Sequence, residues 1–235
     1  PDIVLFDRFM CEEQFGWRVS QHCPSAVKVL DTEDLHCLRR GRQIALESDR
    51  GYEESDLFNE VAIRELACIH RCDLSLMISE YEYALLQRVF KIDASKLHYI
   101  PFMVEAIEPE VNWKNREHFV TIGNFRHAPN LDSIRYLKKD IWPLIRKELP
   151  GAEMHVYGSY SKESEHQLND KAIGFLIKGR AEEAIETVSQ YRLLLAPLRF
   201  GAGLKGKLFD AMQSGTPSVT TVIGLEGIST KDEFP

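Results

Sequence analysis

The sequence predicts an α/β chain of two halves, each built on a mainly parallel sheet with helices between the strands. Three observations carry that expectation. Short apolar, strand-like runs alternate with helix-like stretches along all 235 residues, the pattern of repeated βαβ units. The rhythm breaks over residues 102–116, where FMVEAIEPEVNWKNR holds Pro109, scattered charge and no period. It then starts again at Phe119, and each glycine-bearing loop of the second half follows a predicted strand, the edge at which open α/β sheets bind ligands. Two Rossmann-like domains are therefore expected, at 1–101 and 117–235, joined by a linker at 102–116.

The elements follow in order. Ile3-Val4-Leu5-Phe6 reads as a strand and Glu12 to Cys23 as a helix. Ala26 to Leu30 is a second strand, running into Asp31-Thr32-Glu33-Asp34-Leu35-His36 and an Arg-rich helix with Arg39, Arg40 and Arg42. Gly51 to Asp56 is a polar break. Leu57 to His70 places Leu57, Val61, Leu66 and Ile69 on one helical side. Leu74–Ile78 is a strand, Tyr81–Phe90 a helix, and Leu97–Ile100 a strand stopped by Pro101. After the break, Phe119–Ile122 is a strand ending at Gly123-Asn124-Phe125. Pro129 and Asn130 open a helix to about Lys147, which Pro143 is expected to kink or split. Met154–Tyr157 is a strand with Gly158 as its turn. Glu163–Asp170 is a helix, Ile173–Ile177 a strand, and Gly179-Arg180 leads into a helix at Ala181–Ser189.

The last stretch, Leu195 to Gly227, is the expected functional centre. A buried strand, Leu193–Pro197, feeds a glycine-rich turn, Gly201-Ala202-Gly203, and then a short helix with Leu204, Leu208, Ala211 and Met212 at spacings of three and four. Gly215 closes the helix and Pro217 prevents its continuation. Ser218–Val222 is a strand and Gly224-Leu225-Glu226-Gly227 a second loop. A glycine turn before a helix N-terminus offers free amides and a favourable dipole to an anion. Arg199, Lys205 and Lys207 add a planar fork and two mobile charges suited to phosphate. Asp210, one turn into the helix, is placed to accept from sugar hydroxyls. Neither a P-loop nor a complete dinucleotide fingerprint is present.

Composition narrows the class. Net charge is −7, which argues against a broad nucleic-acid surface and leaves room for a local basic cleft. No apolar run reaches the ~18 residues of a membrane span; peripheral membrane contact stays open. Five cysteines, an odd count without secretory marks, suggest reduced thiols in a cytoplasmic setting. Cys68-x3-Cys72 lies on an apparent helix with no second ligand pair, and no metal site is expected from it. Asp31, Glu33, Asp34 and His36 follow a strand end. His36 or Asp34 as acceptor contact or general base, and Asp31 or Thr32 as helix N-cap, are both open. Arg39, Arg40 and Arg42 read preferentially as a solvated helix face. His127 reads as incidental.

FGAGLKGKLFDAMQSGTPSVTTVIGLEG resembles the donor-site region of GT-B-fold glycosyltransferases of family 4, or group 1: a Gly-rich loop, a helix with an acid followed by Ala-Met, a Gly-x-Pro turn and a final Gly-x-Glu-Gly. FVTIGNFRHAPNLDSIRYLKKDIWPLIRKELPGAEMHVYGSY is similar to the opening of the family's C-terminal domain. MISEYEYALLQRVFKIDASKLHYIPFMVE resembles the close of its N-terminal domain. Asp210 falls on the second acid of the family's Glu-x7-Glu motif, and Ala202 stands where the first would be. Asn124 and Asn130 stand about where relatives carry diphosphate-binding charges. The resemblance implies a fragment, lacking the start of the N-terminal domain and the end of the C-terminal one.

What the resemblance implies is a metal-independent, hexosyltransferase-like enzyme. It would move a sugar from a nucleotide-diphosphate sugar, bound as substrate and not as cofactor, to an unknown glycan, lipid or small-molecule acceptor. Arg199, Lys205 and Lys207 would stabilise the departing diphosphate, with His36 on the acceptor side. Gly123, Asn124, Gly158, Gly201, Gly203 and Asp210 would line the donor, Gly179 and Arg180 its base, and Gly224 to Gly227, with Glu226, its sugar. The alternatives are a nucleotide-sugar epimerase of the same fold and a non-catalytic nucleotide-sugar-binding module. Oligomeric state is not legible.

Overall fold

A computed structural model describes residues 1–105 and 111–228. Residues 106–110 of the expected linker, and residues 229–235, lie outside it. By their contacts the residues form two units. Pro1–Phe102 groups with Phe200–Leu204 and with residues 226–228; Met103–Arg199 groups with Lys205–Leu225.

The first unit holds β1 (Ile3–Asp7), β2 (Val27–Asp31), β3 (Leu74–Met77) and β4 (Leu97–Tyr99), all parallel and neighbouring in that order. Its helices are α1 (Arg8–His22), α2 (His36–Glu47), α3 (Glu60–Arg71) and α4 (Glu80–Arg88). Right-handed crossovers between successive neighbours put all connecting helices on one face. Accordingly Phe6, Leu30 and Met77 point into a core completed by Leu38, Ile69 and Leu86. On the other face Ile3, Leu5 and Val27 are 64%, 57% and 46% exposed.

The second unit has five parallel strands: β5 (Glu117–Ile122), β6 (Met154–Tyr157), β7 (Phe175–Gly179), β8 (Tyr191–Ala196) and β9 (Ser218–Thr220), in spatial order β7-β6-β5-β8-β9. The chain starts at the centre, steps out to β7, then crosses to β8. That reversal creates a topological switch point between β5 and β8. Phe125, Ile134, Trp142, Met154 and Phe175 form the core, and the Trp142 indole donates to the Ile173 carbonyl at 2.8 Å.

Several expected boundaries move. The first helix begins at Arg8, because Phe9 is buried in the core. The helix expected from Pro129 to Lys147 is α5 (Ala128–Tyr136), a π-helical turn Leu137–Ile141, and α6 (Trp142–Glu148). Pro143 lies in the first turn of α6, where it need donate no helical bond, and the wider π turn joins the two pieces. The helix near Glu163 is α7 (Glu163–His166) only, and the strand expected at 173–177 slips two residues to β7. α8 (Ala184–Ser189) and α9 (Gly206–Gln213) follow. The loop expected at Gly224 is helical, in α10 (Val222–Leu225): the Thr221 hydroxyl donates to the Leu198 carbonyl and accepts from the Gly224 amide at 3.2 Å.

Neither Asp31 nor Thr32 caps α2. Asp31 completes β2, and the Thr32 hydroxyl donates to the Leu76 carbonyl at 2.8 Å. The α2 amides are met by carboxylates from other helices. Glu65 accepts from His36 and Cys37, each at 3.0 Å, and Glu82 from Leu35 at 3.1 Å. Arg42 is not on a solvated face. It is 7% exposed, with its guanidinium carbon 5.4 and 5.7 Å from the ring centroids of Tyr52 and Tyr81.

Candidate functional site

The site grows from the carboxyl end of β5. The Gly123 amide donates to the Tyr157 carbonyl at 3.0 Å, so the chain leaves the sheet pinned to β6. Space above Gly123 is closed: a Cβ there would stand 2.7 Å from Asn130 Nδ2 and 3.0 Å from Lys207 Nζ. Asn130 bridges the two elements. Its Nδ2 donates to the Asn124 carbonyl at 3.1 Å and its Oδ1 accepts from Lys207 Nζ at 2.9 Å. Lys207 and Asp210 are three apart on α9 and share a face.

Burial governs both charges. Loss of water pulls the Lys207 ammonium down to about 8, with Asp210 opposing the fall. Burial pushes the Asp210 carboxyl up, with Lys207 opposing. A cation this poorly hydrated, beside backbone that only glycine allows to come close, is suited to receive an anion.

The structure therefore brings together Gly123, Asn124, Asn130, Lys207 and Asp210. It places the other expected residues as follows. Arg199 forms an ion pair with Asp132, with its Nε 2.9 Å from the carboxylate, and lies 4.9 Å from the Tyr136 ring centroid. Lys205 immediately precedes α9 and is 8% exposed. Gly158 is a packing position, because a Cβ would stand 2.2 Å from the Phe125 ring. Gly179 ends β7 with φ +80° and open space above it, beside exposed Arg180. Gly224 closes on Thr220.

Gly201, Gly203, Glu226 and His36 all group with the first unit. The Gly201 carbonyl accepts from Arg42 at 2.8 Å, and the Gly203 amide donates to Glu82. Gly203 has φ +63°, and a Cβ would lie 2.6 Å from that of Asp34. Glu226 takes the Arg42 guanidinium on both oxygens, at 2.8 and 2.6 Å. His36 Nδ1 lies 3.1 Å from the Asp34 carbonyl and 3.4 Å from Glu65, with the ring edge-on to Phe9. The Asp34 carboxylate is paired with Arg39.

Sequence reasoning missed Asn130 as the bridge, Arg42 as the clamp, and the two carboxylates Glu65 and Glu82. Asn130 had a signal in the His-x-Pro-Asn run. Glu82 had none, since its partners lie 47 and 121 residues away. Among the described residues no three His, Cys, Asp or Glu side chains gather as a metal-ion set.

The family model for glycosyl transferases group 1 matches residues 116–233, half of the chain and all five strands of the second sheet. The chain belongs to the group 1 glycosyltransferases. Solved structures share its fold. A point mutant of S. aureus TarM, determined with Fondaparinux, alpha-GlcNAc-glycerol and UDP, has a TM-score of 0.70 at 13% identity, covering 95% of this chain and 42% of TarM. The pneumococcal O-GlcNAc transferase GtfA, with UDP and GlcNAc, has a TM-score of 0.62 at 19% identity, covering 99% of this chain and 46% of GtfA. Anabaena HepE, with UDP and glucose, has a TM-score of 0.59 at 12% identity, covering 95% of this chain and 60% of HepE. At such identities the likeness is one of fold, here that of GT-B glycosyltransferases, and this group 1 chain spans less than half of TarM and of GtfA. No curated protein sequence matches it.

Proposed function

We propose that the second unit binds a nucleotide-diphosphate sugar and that the protein transfers the sugar to an acceptor. The observation that carries this reading is Lys207. Its ammonium is held over Gly123 by Asn130 at the switch point, partly buried, with Asp210 as counter-charge. In this reading Lys207 and the nearby amides stabilise charge on the departing diphosphate, so that no metal ion is required. Asp210 accepts from the ribose hydroxyls. Lys205 supports the same charge, and Arg199, already bridged to Asp132, contributes less. Gly179 and Arg180 sit beside the base, on the β7 side. TarM, GtfA and HepE were each determined with UDP, which supports a uridine donor. All five cysteines are free thiols, which supports a cytoplasmic location; no described helix is long and apolar enough to cross a membrane.

The test is thermal unfolding of the chain with millimolar UDP, GDP or ADP. A ligand bound only by the folded state raises the midpoint. One nucleotide is expected to do so, and Lys207→Ala to abolish the rise. A rise unaffected by that substitution would move the site elsewhere. A second reading, binding without turnover, is favoured by Ala202: at the place of the family's first Glu it puts a methyl group in the first unit's apolar cluster. Donor affinity without donor consumption would support it.

A further inference from the structure

We propose that Arg126 and Tyr160 form a stacking platform for the nucleobase of the donor; this rests on the donor-site reading above and gives that ligand its second anchor. The two residues come from the loops that follow β5 and β6, which are neighbouring strands. The loops are fastened to each other. The Phe125 amide donates to the Ser159 carbonyl at 3.1 Å. The Phe125 ring, 3% exposed, fills the space above Gly158 that any larger residue would need. Asn124 Oδ1 accepts from the Arg126 amide at 2.8 Å and so tightens the first loop. Arg126 and Tyr160 are thus each one residue from the hydrogen-bonded pair Phe125–Ser159.

The Arg126 guanidinium carbon lies 4.1 Å from the Tyr160 ring centroid. The ring is nevertheless 59% exposed, so packing into a core does not explain its place. Tyr160 also has φ +61°, a conformation that a bulky side chain adopts at a cost and that persists where surrounding structure enforces it. What results is a flat aromatic and cationic surface at the ligand-binding edge of the sheet. From Gly123, where Lys207 sits, to Arg126 is three residues, at most about 11 Å of chain, a span that a ribose and two phosphates can bridge. Lys207 would hold the diphosphate, and the base would lie on the platform.

Aromatic stacking is tolerant of base identity, because every base offers a π face, and an Arg adds cation–π attraction. The platform therefore supplies affinity without selecting among bases. Calorimetry on the chain with UDP, GDP, ADP and inorganic pyrophosphate tests this. Tyr160→Ala is expected to weaken whichever nucleotides the wild type binds by about tenfold or more, by similar factors, and to leave pyrophosphate unchanged. Tyr160→Phe is expected to restore them, and Arg126→Ala to give a smaller loss of the same kind. Equal weakening of pyrophosphate and nucleotide, or no change in either, would overturn the inference. Wild-type affinity for pyrophosphate equal to that for every nucleotide would also overturn it while sparing the anion site. A wild type that binds neither would remove the donor-site reading and the platform with it.

Discussion

Lys207 links folding to pH and, under the donor-site proposal, links binding to pH as well. An unfolded lysine titrates near ~10.4, and in the folded protein burial brings Lys207 to about 8. Between those values the unfolded chain holds the extra proton, so stability rises with pH across that window; below 8 the cost is present in full. Denaturant unfolding at pH 7 and pH 10 is expected to show this rise in the wild type and a smaller one in Lys207→Gln. Binding runs the other way. Nucleotide-diphosphate affinity is expected to fall as pH passes about 8 and the ammonium loses its proton. Lys207→Arg keeps its charge and should remove that fall. Affinity that stays flat from pH 7 to 9.5 in the wild type would separate Lys207 from the ligand. The residue types at this site were legible in the sequence: a lysine and an aspartate three apart after a glycine turn. That Asn130 connects them, and that Arg199 turns to Asp132, was not, because both contacts join segments 67 or more residues apart.

Elements in the first unit depend on partners far along the chain. Helix α2 begins with Leu35 as its N-cap and no side-chain cap from the neighbouring sequence. Instead Glu65, 2% exposed on α3, accepts from the amides of His36 and Cys37. A carboxylate at a helix N-terminus also meets the positive end of the dipole. Glu65→Ala leaves two amides without their acceptor, at about 1–3 kcal/mol for each buried donor. The expected outcome is a thermal midpoint lower by roughly 4–24 °C, on a scale of about 2–4 °C per kcal/mol for a domain of this size. A change under 2 °C would mean that water replaces the carboxylate. By contrast α3 carries a local cap that could be read directly, since Asn59 accepts from Val61 and Ala62 at 3.1 and 3.3 Å.

The two sheets differ in how completely they are dressed. Connections on both sides of β5 let the second unit's sheet carry helices on both faces. The consecutive order β1-β2-β3-β4 gathers the first unit's connecting helices on one face. Parallel sheets are ordinarily covered on both, and Ile3, Leu5 and Val27 lie on the other, exposed. Leu5→Lys is therefore expected to reduce binding of a hydrophobic dye and to shift stability by no more than ~0.5 kcal/mol, as surface substitutions do; a large loss of stability would show that Leu5 is packed. The sequence by itself determined the α/β class, the βαβ alternation, all nine strands to within about two residues, and the family, because periodicity, glycine turns and local motifs are written over a few neighbouring residues. Only tertiary structure decided which loops meet. It set Lys207 over Gly123, spent Arg199 on Asp132, capped α2 with Glu65 and Glu82, and grouped residues 200–204 with the first unit. Those outcomes depend on which buried charges find partners across long sequence separations, and pattern along the chain carries no record of that choice.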